Sequence, residues 1–409
     1  MLTQLIYRSR GTRGFSHPDL AQLATDVTLR NKALNISGLL LYDGTYFLQV
    51  LEGEDTVVDG LYTALGKDQR HTDLVLLLRD PIPHTHFSDF KMNTLDVRQT
   101  QGLSGQDKWL SWNAAQGLSG HRDHRSERII EAFVRGRWRD GVPAVAWSAD
   151  APAPPHPTPA PAWPTPVATP TGPTQTRFAF QPIVHTQSRR VTSVEALLRG
   201  PGGESPQTVL SAVPPHLLHD FDLRSKADAI ALAAALRLDC TLSVNLLPMS
   251  LVTHDDAVDY LVRQCQKHQW PVHQLLVEIT EEEAITHFDG FLKAVHKLRA
   301  SGIQVAIDDF GAGHAGLSLL ADFQPDKLKV DKRIIQGVSS SGPRQAIVRS
   351  VIEFCFCLGI TVVAEGVETV EDWWWLQSAG VRRFQGYLFA RPSLQGMNPV
   401  NWPAGTHHG

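Results

Sequence analysis

The chain has 409 residues, of which 42% are hydrophobic and 20% charged, with a formal net charge of −4. This length and composition predict two or three globular domains with a sizeable core. Mixed charges give no electrostatic case for long nucleic acid or a membrane surface, no stretch is apolar enough to span a bilayer, and Met1–Gln4 leads into no signal-peptide core, so a cytoplasmic protein is expected.

Leu2–Tyr7 reads as a strand, and Pro18–Asn31 as a helix with Leu20, Leu23, Ala24 and Val27 on one face. Ile36–Tyr42 and Tyr46–Leu51 flank the turn pair Asp43-Gly44, a hairpin signal. Thr56–Gly66 reads as a helix, Asp73–Leu78 as a strand and Phe87–Met92 as a last edge strand. The order β-α-β-β-α-β predicts a ferredoxin-like α+β domain with two helices on one face of the sheet. Ser126–Trp138 then reads as a charged amphipathic helix carrying the chain outward.

Within this domain Tyr7 ends the first strand, Asn31 ends the first helix, and Gln49 shares a strand face with Phe47 and Leu51. A buried glutamine needs partners, and a structural bond between strands would satisfy one taken alone. The set as a whole resembles the BLUF domain, through Leu5-Ile6-Tyr7-Arg8-Ser9, Asn31, Ile36 to Tyr42, Phe47-Leu48-Gln49, Asp68-Gln69-Arg70-His71 and Phe87 to Met92. The resemblance implies a blue-light sensor with FAD held between the two helices. Asn31 would lie on the ring edge, with Arg30, Asp68 and Arg70 nearby. It implies light-driven electron transfer from Tyr7 to the flavin, a change of hydrogen bonding at Gln49, and onward transmission through Met92. Phe90 stands where many members have tryptophan.

Ala151 to Gln175 reads APAPPHPTPAPAWPTPVATPTGPTQ. Proline removes backbone donors and favours extended chain, so residues 149–176 are expected to be a semi-rigid linker. The domains are therefore placed at 1–97 (sensor), 98–148 (helical connector), 149–176 (linker) and 177–398 (barrel). Beyond the linker, eight apolar runs alternate with helical stretches: Phe178–Val184, Val194–Leu198, Leu242–Leu246, Leu275–Ile279, Gln304–Ile307, Lys327–Val330, Thr361–Ala364 and Phe384–Phe389. This pattern predicts a (β/α)8 TIM-like barrel, making the whole an α/β chain.

Polar residues recur at these runs: Glu195, Asn245, Glu278, Asp308-Asp309, Lys329, Glu365 and Gln385. In a barrel such positions converge on one mouth. Carboxylates and an amide oxygen are hard ligands for Mg²⁺ or Mn²⁺. Two such ions about 4 Å apart suit phosphodiester cleavage, and a buried lysine could position the water. Packed acids would repel one another unless cations held them.

These residues carry a resemblance to the EAL domain, over roughly Arg177 to Asn398. Its motifs are Gln181-Pro182-Ile183-Val184, Glu195-Ala196-Leu197-Leu198-Arg199, Ser243 to Leu246, Glu278-Ile279-Thr280, Asp308-Asp309-Phe310-Gly311, Lys327 to Asp331, Ala364 to Thr369 and Gln385-Gly386-Tyr387. The resemblance implies hydrolysis of cyclic di-GMP to the linear dinucleotide pGpG. Glu195, Asn245, Glu278, Asp308, Asp309 and Glu365 would hold two divalent metal ions. Lys329, Glu365 and Gln385 would be catalytic, Gln181 and Arg199 would contact substrate, and Glu368 would brace the loop after Asp309 and couple it to a homodimer contact. The loop Gly311 to Gly316 and the short turn Gly200 to Gly203 depart from the family pattern.

The expected protein is thus a blue-light-regulated cyclic di-GMP phosphodiesterase. Because a flexible spacer transmits force poorly, sensor and barrel are expected to touch directly inside a dimer. The rivals are a non-catalytic light-gated protein that binds cyclic di-GMP or a partner protein, and an enzyme for another phosphodiester. The four cysteines form no Cys-x-x-Cys pair and read as small buried hydrophobes. Trp373-Trp374-Trp375 reads as core plus interface, and His254, His314, His407 and His408 form no metal-ligand motif.

Overall fold

The computed structural model describes residues 1–87, 92–100, 125–136, 176–280, 288–312, 320 and 323–403. The linker body, Phe90, His314, His407 and His408, and most of the Gly311–Gly316 loop lie outside these residues. The chain divides into two compact units, Met1–Pro143 with Phe356–Ile360, and Ala144–Cys355 with Thr361–Gly409.

The first unit is a five-stranded sheet in the order β4-β1-β3-β2-β5. Its strands are β1 (Leu2–Gly11), β2 (Ser37–Tyr42), β3 (Tyr46–Glu54), β4 (His71–Pro81) and β5 (Met92–Asp96), with helices α1 (His17–Ala33) and α2 (Asp55–Leu65) between them. Strands β1 to β4 are antiparallel neighbours in the expected ferredoxin-like order. Most of the expected edge strand Phe87–Met92 lies outside the described residues; the described fifth strand stands at the sheet edge and runs parallel to β2, pairing Met92 with Gly38.

Local chemistry fixes the boundaries. Ser16 and Asp19 form a capping box that starts α1. Gly44 takes φ +103°, and Asp43 accepts from the Thr45 and Tyr46 amides, closing the β2–β3 hairpin. Strand alternation then gives the sheet two apolar faces. One carries Leu5, Tyr7, Leu40, Tyr42 and Leu51 against Leu20, Val27, Val58 and Leu61 of α1 and α2. The other carries Ile6, Leu39, Leu41, Leu48 and Val50 against Ile129, Ile130, Phe133 and Val134 of α3 (Arg125–Val134). Helix α3 therefore does not lead the chain outward as expected; its apolar stripe covers the second sheet face, which would otherwise be wet.

On that second face the fully buried Glu52 accepts from Gln4 Nε2 (2.6 Å) and from the backbone amides of His86 and Phe87, and pairs with His86 Nδ1 at 2.8 Å. Burial alone would lower the His86 pKa, but the hydrogen bond and charge of Glu52, with Glu127 adding, raise it above its ordinary value. A group whose pKa rises on folding stabilises the fold fully below its unfolded pKa, and that contribution is lost as pH rises through the folded value. An NMR titration of the histidine rings should therefore place His86 above 6.5, and Glu52→Gln should bring its midpoint back down.

The second unit is a closed barrel. Its strands are β6 (Arg177–His185), β7 (Arg190–Arg199), β8 (Thr241–Asn245), β9 (Leu275–Thr280), β10 (Gln304–Phe310), β11 (Lys327–Val330), β12 (Thr361–Ala364) and β13 (Arg383–Phe384), with β14 (Ser393–Leu394) beside β6. Each strand hydrogen-bonds the next, and β13 pairs with β6 to close the ring. The barrel bears out the (β/α)8 expectation, with one reversed strand: β6 is antiparallel to both β7 and β13. The β6–β7 connection is a short turn with no helix, so the chain reverses there. The eighth run is also shorter than expected, because the chain leaves the sheet at Gln385. Among the outer helices are α4 (Leu218–Ala235), α5 (Pro248–Val252), α6 (Ala257–Lys267), α7 (Phe288–Ala300), α8 (Gly342–Cys357) and α9 (Val370–Ala379).

Trp373 is buried against Phe389, while the Arg349 guanidinium lies over the Trp375 ring at 5.7 Å. Cys240, Cys265 and Cys355 are buried as expected, but Cys357 is exposed. Among the described residues no helix is long and apolar enough to cross a membrane.

Candidate functional site

Seven barrel strands bring their polar residues to one end of the ring, around the ammonium of Lys329. This lysine is only 1% exposed. Its Nζ lies 3.1 Å from Glu195, 2.7 Å from Glu278, 3.0 Å from Asp308 and 2.8 Å from Glu365. Sheet register explains the convergence: Asn245, the last residue of β8, is level with Glu278 of β9, and Gln181 is level with Glu195. Asn245 Nδ2 donates to Glu195 Oε1 at 2.8 Å, and Gln385 Nε2 donates to Glu195 Oε2 at 2.7 Å. Gln385 Nε2 also reaches Gln181 Oε1 at 3.2 Å, and Gln181 donates to the Ala390 carbonyl.

The aspartate pair sits on an irregularity. The β10–β11 register shifts between Ile307 and Phe310, and Asp309 takes φ +54°. Left-handed backbone at a non-glycine residue is strained, and bulges of this kind re-aim side chains near active sites. Asp308 is thereby buried while Asp309 is exposed.

Four carboxylates on one ammonium are not balanced. Burial, then the neighbouring acids, push Glu278 up to about 8, against the opposing pull of Lys329. Although Asp309 is exposed as a residue, partial desolvation of its carboxyl and the Asp308 charge push it up to about 6. Asp308 and Glu365 are raised as well, and Lys329 is raised well above its ordinary value because the acids outweigh its burial. Glu195 goes the other way: burial raises it, but the Lys329 charge and hydrogen bonds from Gln385 and Asn245 lower it further. A site that holds surplus protons on hard oxygen donors is built for more positive charge than one lysine supplies.

Two groups of acids have ligand atoms close enough to share a cation, Glu195 with Glu278 and Asp308, and Asp308 with Asp309 and Glu365. Asp308 belongs to both. All donors are oxygen, the chemistry of Mg²⁺ and Mn²⁺. Gln385 Oε1 is buried without a hydrogen-bond partner, which further fits a polar group yet to enter.

Three further residues stand on the same strands or on the segments that follow them. Arg199 is half-buried and donates to its neighbour's carbonyl, Leu198 O, at 2.8 Å. Glu368 is exposed and accepts from Gln336 Nε2 at 3.2 Å; the loop it is expected to brace lies largely outside the described residues. Asp331 was given no role by the sequence reading. It is buried, accepts from Arg333, and hydrogen-bonds Asp309. Its place two residues past Lys329, at the end of β11, is the signal that could have found it.

Gly386 shows how tightly the mouth is closed. A Cβ there would meet Val367 O at 2.0 Å and Val367 N at 2.4 Å. Val367 N donates to Gln385 O at 3.0 Å, so this contact locks the Glu365 loop to Gln385. Gly386→Ala should force the two loops apart, costing about 1–3 kcal/mol. A lowered melting temperature together with weakened Mn²⁺ binding would register this; an unchanged pair of values would refute it.

The first unit has a second polar site, on the face covered by α1 and α2. Tyr7 and Gln49 are register partners on β1 and β3, and Tyr7 Oη donates to Gln49 Oε1. Burial raises the Tyr7 pKa far above its ordinary value, so the phenol keeps its proton. The Tyr62 ring lies 5.7 Å and the His71 ring 6.5 Å from Tyr7. Asn31 is 0% exposed, and neither atom of its amide has a hydrogen-bond partner. Arg30 Nε is likewise buried without a partner. Leaving such groups unpaired costs about 1–3 kcal/mol each, so the site fits a polar ring seated between the helices. Arg70 and Asp68 form a forked ion pair at 2.6 Å, and that bond holds Asp68 down at about 2. Met92 contributes its backbone to β5 beside Gly38.

Comparison with known proteins matches both halves of the chain. Residues 173–392 match the family described as EAL domain, and residues 2–93 the family described as sensors of blue-light using FAD. A relative in Escherichia coli K12, the "blue light- and temperature-regulated antirepressor BluF", is 37% identical, covering 98% of this chain and 99% of its own. The Klebsiella pneumoniae BlrP1 structure, a manganese and cyclic di-GMP complex, is 41% identical over 99% of this chain and 100% of that one, with TM-score 0.57. A standalone EAL protein from Vibrio cholerae in its c-di-GMP-bound form is 35% identical over 56% of this chain and 98% of that one, with TM-score 0.54.

Proposed function

The chain belongs to the family that joins a blue-light sensor using FAD to an EAL domain, and from that premise we propose that it hydrolyses cyclic di-GMP to pGpG under the control of blue light. The observation that carries this reading is the complete oxygen-donor cluster around Lys329. A barrel that had given up catalysis would have no reason to keep four carboxylates, three of them buried, on one ammonium, because their mutual repulsion costs stability.

Glu195, Asn245, Glu278 and Asp308 would hold one divalent ion, and Asp308, Asp309 and Glu365 the other. When bound, two such ions supply Lewis acidity, lower the pKa of water and steady the leaving oxygen. Lys329 lies within reach of all the buried acids, so it can hold the attacking water by donation and offset charge that develops there. Gln385 orients Glu195 and can accept from the water through its unpaired Oε1. Gln181 and Arg199 would contact the substrate, and the forked Arg199 suits a phosphate. Glu368 and a second copy of the chain would couple the Asp309 loop to a dimer contact.

In the sensor, Asn31 and Arg30 would bond the flavin, with Asp68 and Arg70 nearby. When bound, FAD absorbs blue light and accepts an electron. Tyr7 donates its hydrogen bond to Gln49, and a change at either residue alters what β3 presents to its neighbours, including β2 and through it Met92. Light must change the relative energies of two barrel or dimer states, or it regulates nothing.

The "antirepressor" name of the Escherichia coli relative favours a second reading, in which light gates binding to a partner protein. Incubating the full chain with cyclic di-GMP and Mn²⁺, in darkness and in blue light, separates the two. Formation of pGpG supports hydrolysis. A flavin-loaded protein that forms none in either condition supports the binding reading. Tyr7→Phe should retain FAD yet lose the light-dark difference in product formation; a full light response in that variant would remove Tyr7 from the photochemistry.

A further inference from the structure

Apart from the acids around Lys329, a buried ion pair lies on α4 and not on a strand. Asp222 and Lys226 are each 3% exposed, and Lys226 Nζ sits 2.6 Å from Asp222 Oδ1. The other oxygen, Oδ2, accepts from the backbone amide of Leu247 at 2.9 Å and from Ser250 Oγ at 2.7 Å. Lys226 also donates to Ser225 Oγ, which in turn donates to the Asp222 carbonyl. The ion pair therefore ties α4 to the turn between β8 and α5.

That turn begins at Asn245. The next amide, Leu246 N, donates to the Glu278 carbonyl at 3.0 Å. The segment after Asn245 is held from two sides, by the strand of one carboxylate and by Asp222. Asn245 is itself only half-buried, and its one described side-chain bond runs from Nδ2 to Glu195. The backbone sets where an amide side chain starts and so which positions its oxygen can reach, and a ligand oxygen must be aimed to bind well. Packing α4 would not require this pair: apolar residues of similar volume stabilise an interior as well or better than a buried ion pair does.

We propose that Asp222 is a positioning residue for the metal centre, which fixes the Leu247 amide so that Asn245 presents its Oδ1 to a divalent cation. Lys226 orients the Asp222 carboxylate and offsets its charge. The inference rests on the metal-dependent reading above.

Mn²⁺ binding to the full chain in darkness, followed by the electron paramagnetic resonance signal of the free ion, tests it. Asp222→Asn should weaken binding about 10-fold, the scale of outer-shell partners. In an Asn245→Ala background the same change should add almost nothing, because the route through Asn245 is already gone. Ser250→Ala, which leaves no charge unpaired, should weaken binding by a smaller factor of about 2–5 and serves if Asp222→Asn does not fold. Equal weakening in both backgrounds, or wild-type affinity in both single variants, would overturn the proposal. A wild-type chain that binds no Mn²⁺ would instead overturn the metal reading itself, and this inference with it.

Discussion

Lys329→Met is expected to lower the melting temperature of the metal-free protein by on the order of 10 °C, since removing one member of a buried charge network costs about 3–5 kcal/mol. The side chain lost is close in volume to its replacement, so the cost is electrostatic. Glu195, Glu278, Asp308 and Glu365 all lie within 3.1 Å of its Nζ and would face one another without a cation. The sign of the pH dependence follows. Acids whose pKa is raised by folding bind more protons folded than unfolded, so stability falls as pH rises toward the folded values. Glu278 is raised to about 8, so the defect should be larger at pH 8 than at pH 6. Mn²⁺ should restore part of it, because ligand held by the folded state alone stabilises that state by about 2.7 kcal/mol at 100 times its Kd. Hydrolysis should still fall by about 10²–10⁴-fold, the range for a positioned proton-handling group. Calorimetry with and without metal checks the stability claim. A variant with the wild-type melting curve at both pH values would mean the acids are not coupled through Lys329.

Asp308→Asn should act with the opposite sign on stability and a larger effect on rate. Asp308 is the acid shared by both carboxylate groups, so its loss weakens both cation sites together. The expected loss of hydrolysis is at least about 10³-fold, equivalent to roughly 4 kcal/mol of transition-state stabilisation. Yet the metal-free variant should melt higher than the wild type, because a buried charge that the fold disfavours has been removed. Its raised pKa, caused by burial with Glu195 adding, gives that direction. An asparagine Oδ1 can still accept the Asp309 amide that Asp308 accepts at 2.9 Å, so the bulge need not collapse. Loss of activity together with loss of stability would mean that Asp308 holds the fold, not the cations.

The two variants also separate causes. Lys329 and Asp308 touch each other at 3.0 Å, so simple disruption of packing would move both melting temperatures downward. Charge balance moves them apart.

Much of this was legible from residues alone. Strand periodicity with the Asp43-Gly44 turn was enough to place the first sheet, because a period of two and a turn with fixed chemistry are local properties. The recurrence of acids at strand ends was enough to locate the barrel mouth, since parallel strands all end on the same side. Reading failed where a contact distant in sequence decided the outcome. The charged helix at Arg125–Val134 has an apolar stripe whose partner, the second face of the first sheet, is set only once β1 to β4 have paired. The reversal of β6 depends on a turn too short for a helix, which apolar content does not reveal.

The sequence by itself determined which groups stand at the barrel mouth: oxygen donors, one lysine and two glutamines on successive strands, a set that suits hard cations. The family resemblance singled out Tyr7 and Gln49, and the antiparallel register of β1 and β3 puts them side by side. Only the tertiary structure decided which acid is shared. Asp308 and Asp309 are neighbours in sequence and identical in type, and either could have bridged the two groups. The bulge after Ile307 turns Asp308 inward to Lys329 and leaves Asp309 exposed beside Asp331, because a non-glycine residue at φ +54° is a cost that only the surrounding strands can impose. The Asp222 clamp on Asn245 is of the same kind, for the 22 residues between them say nothing of their meeting until α4 packs on the barrel.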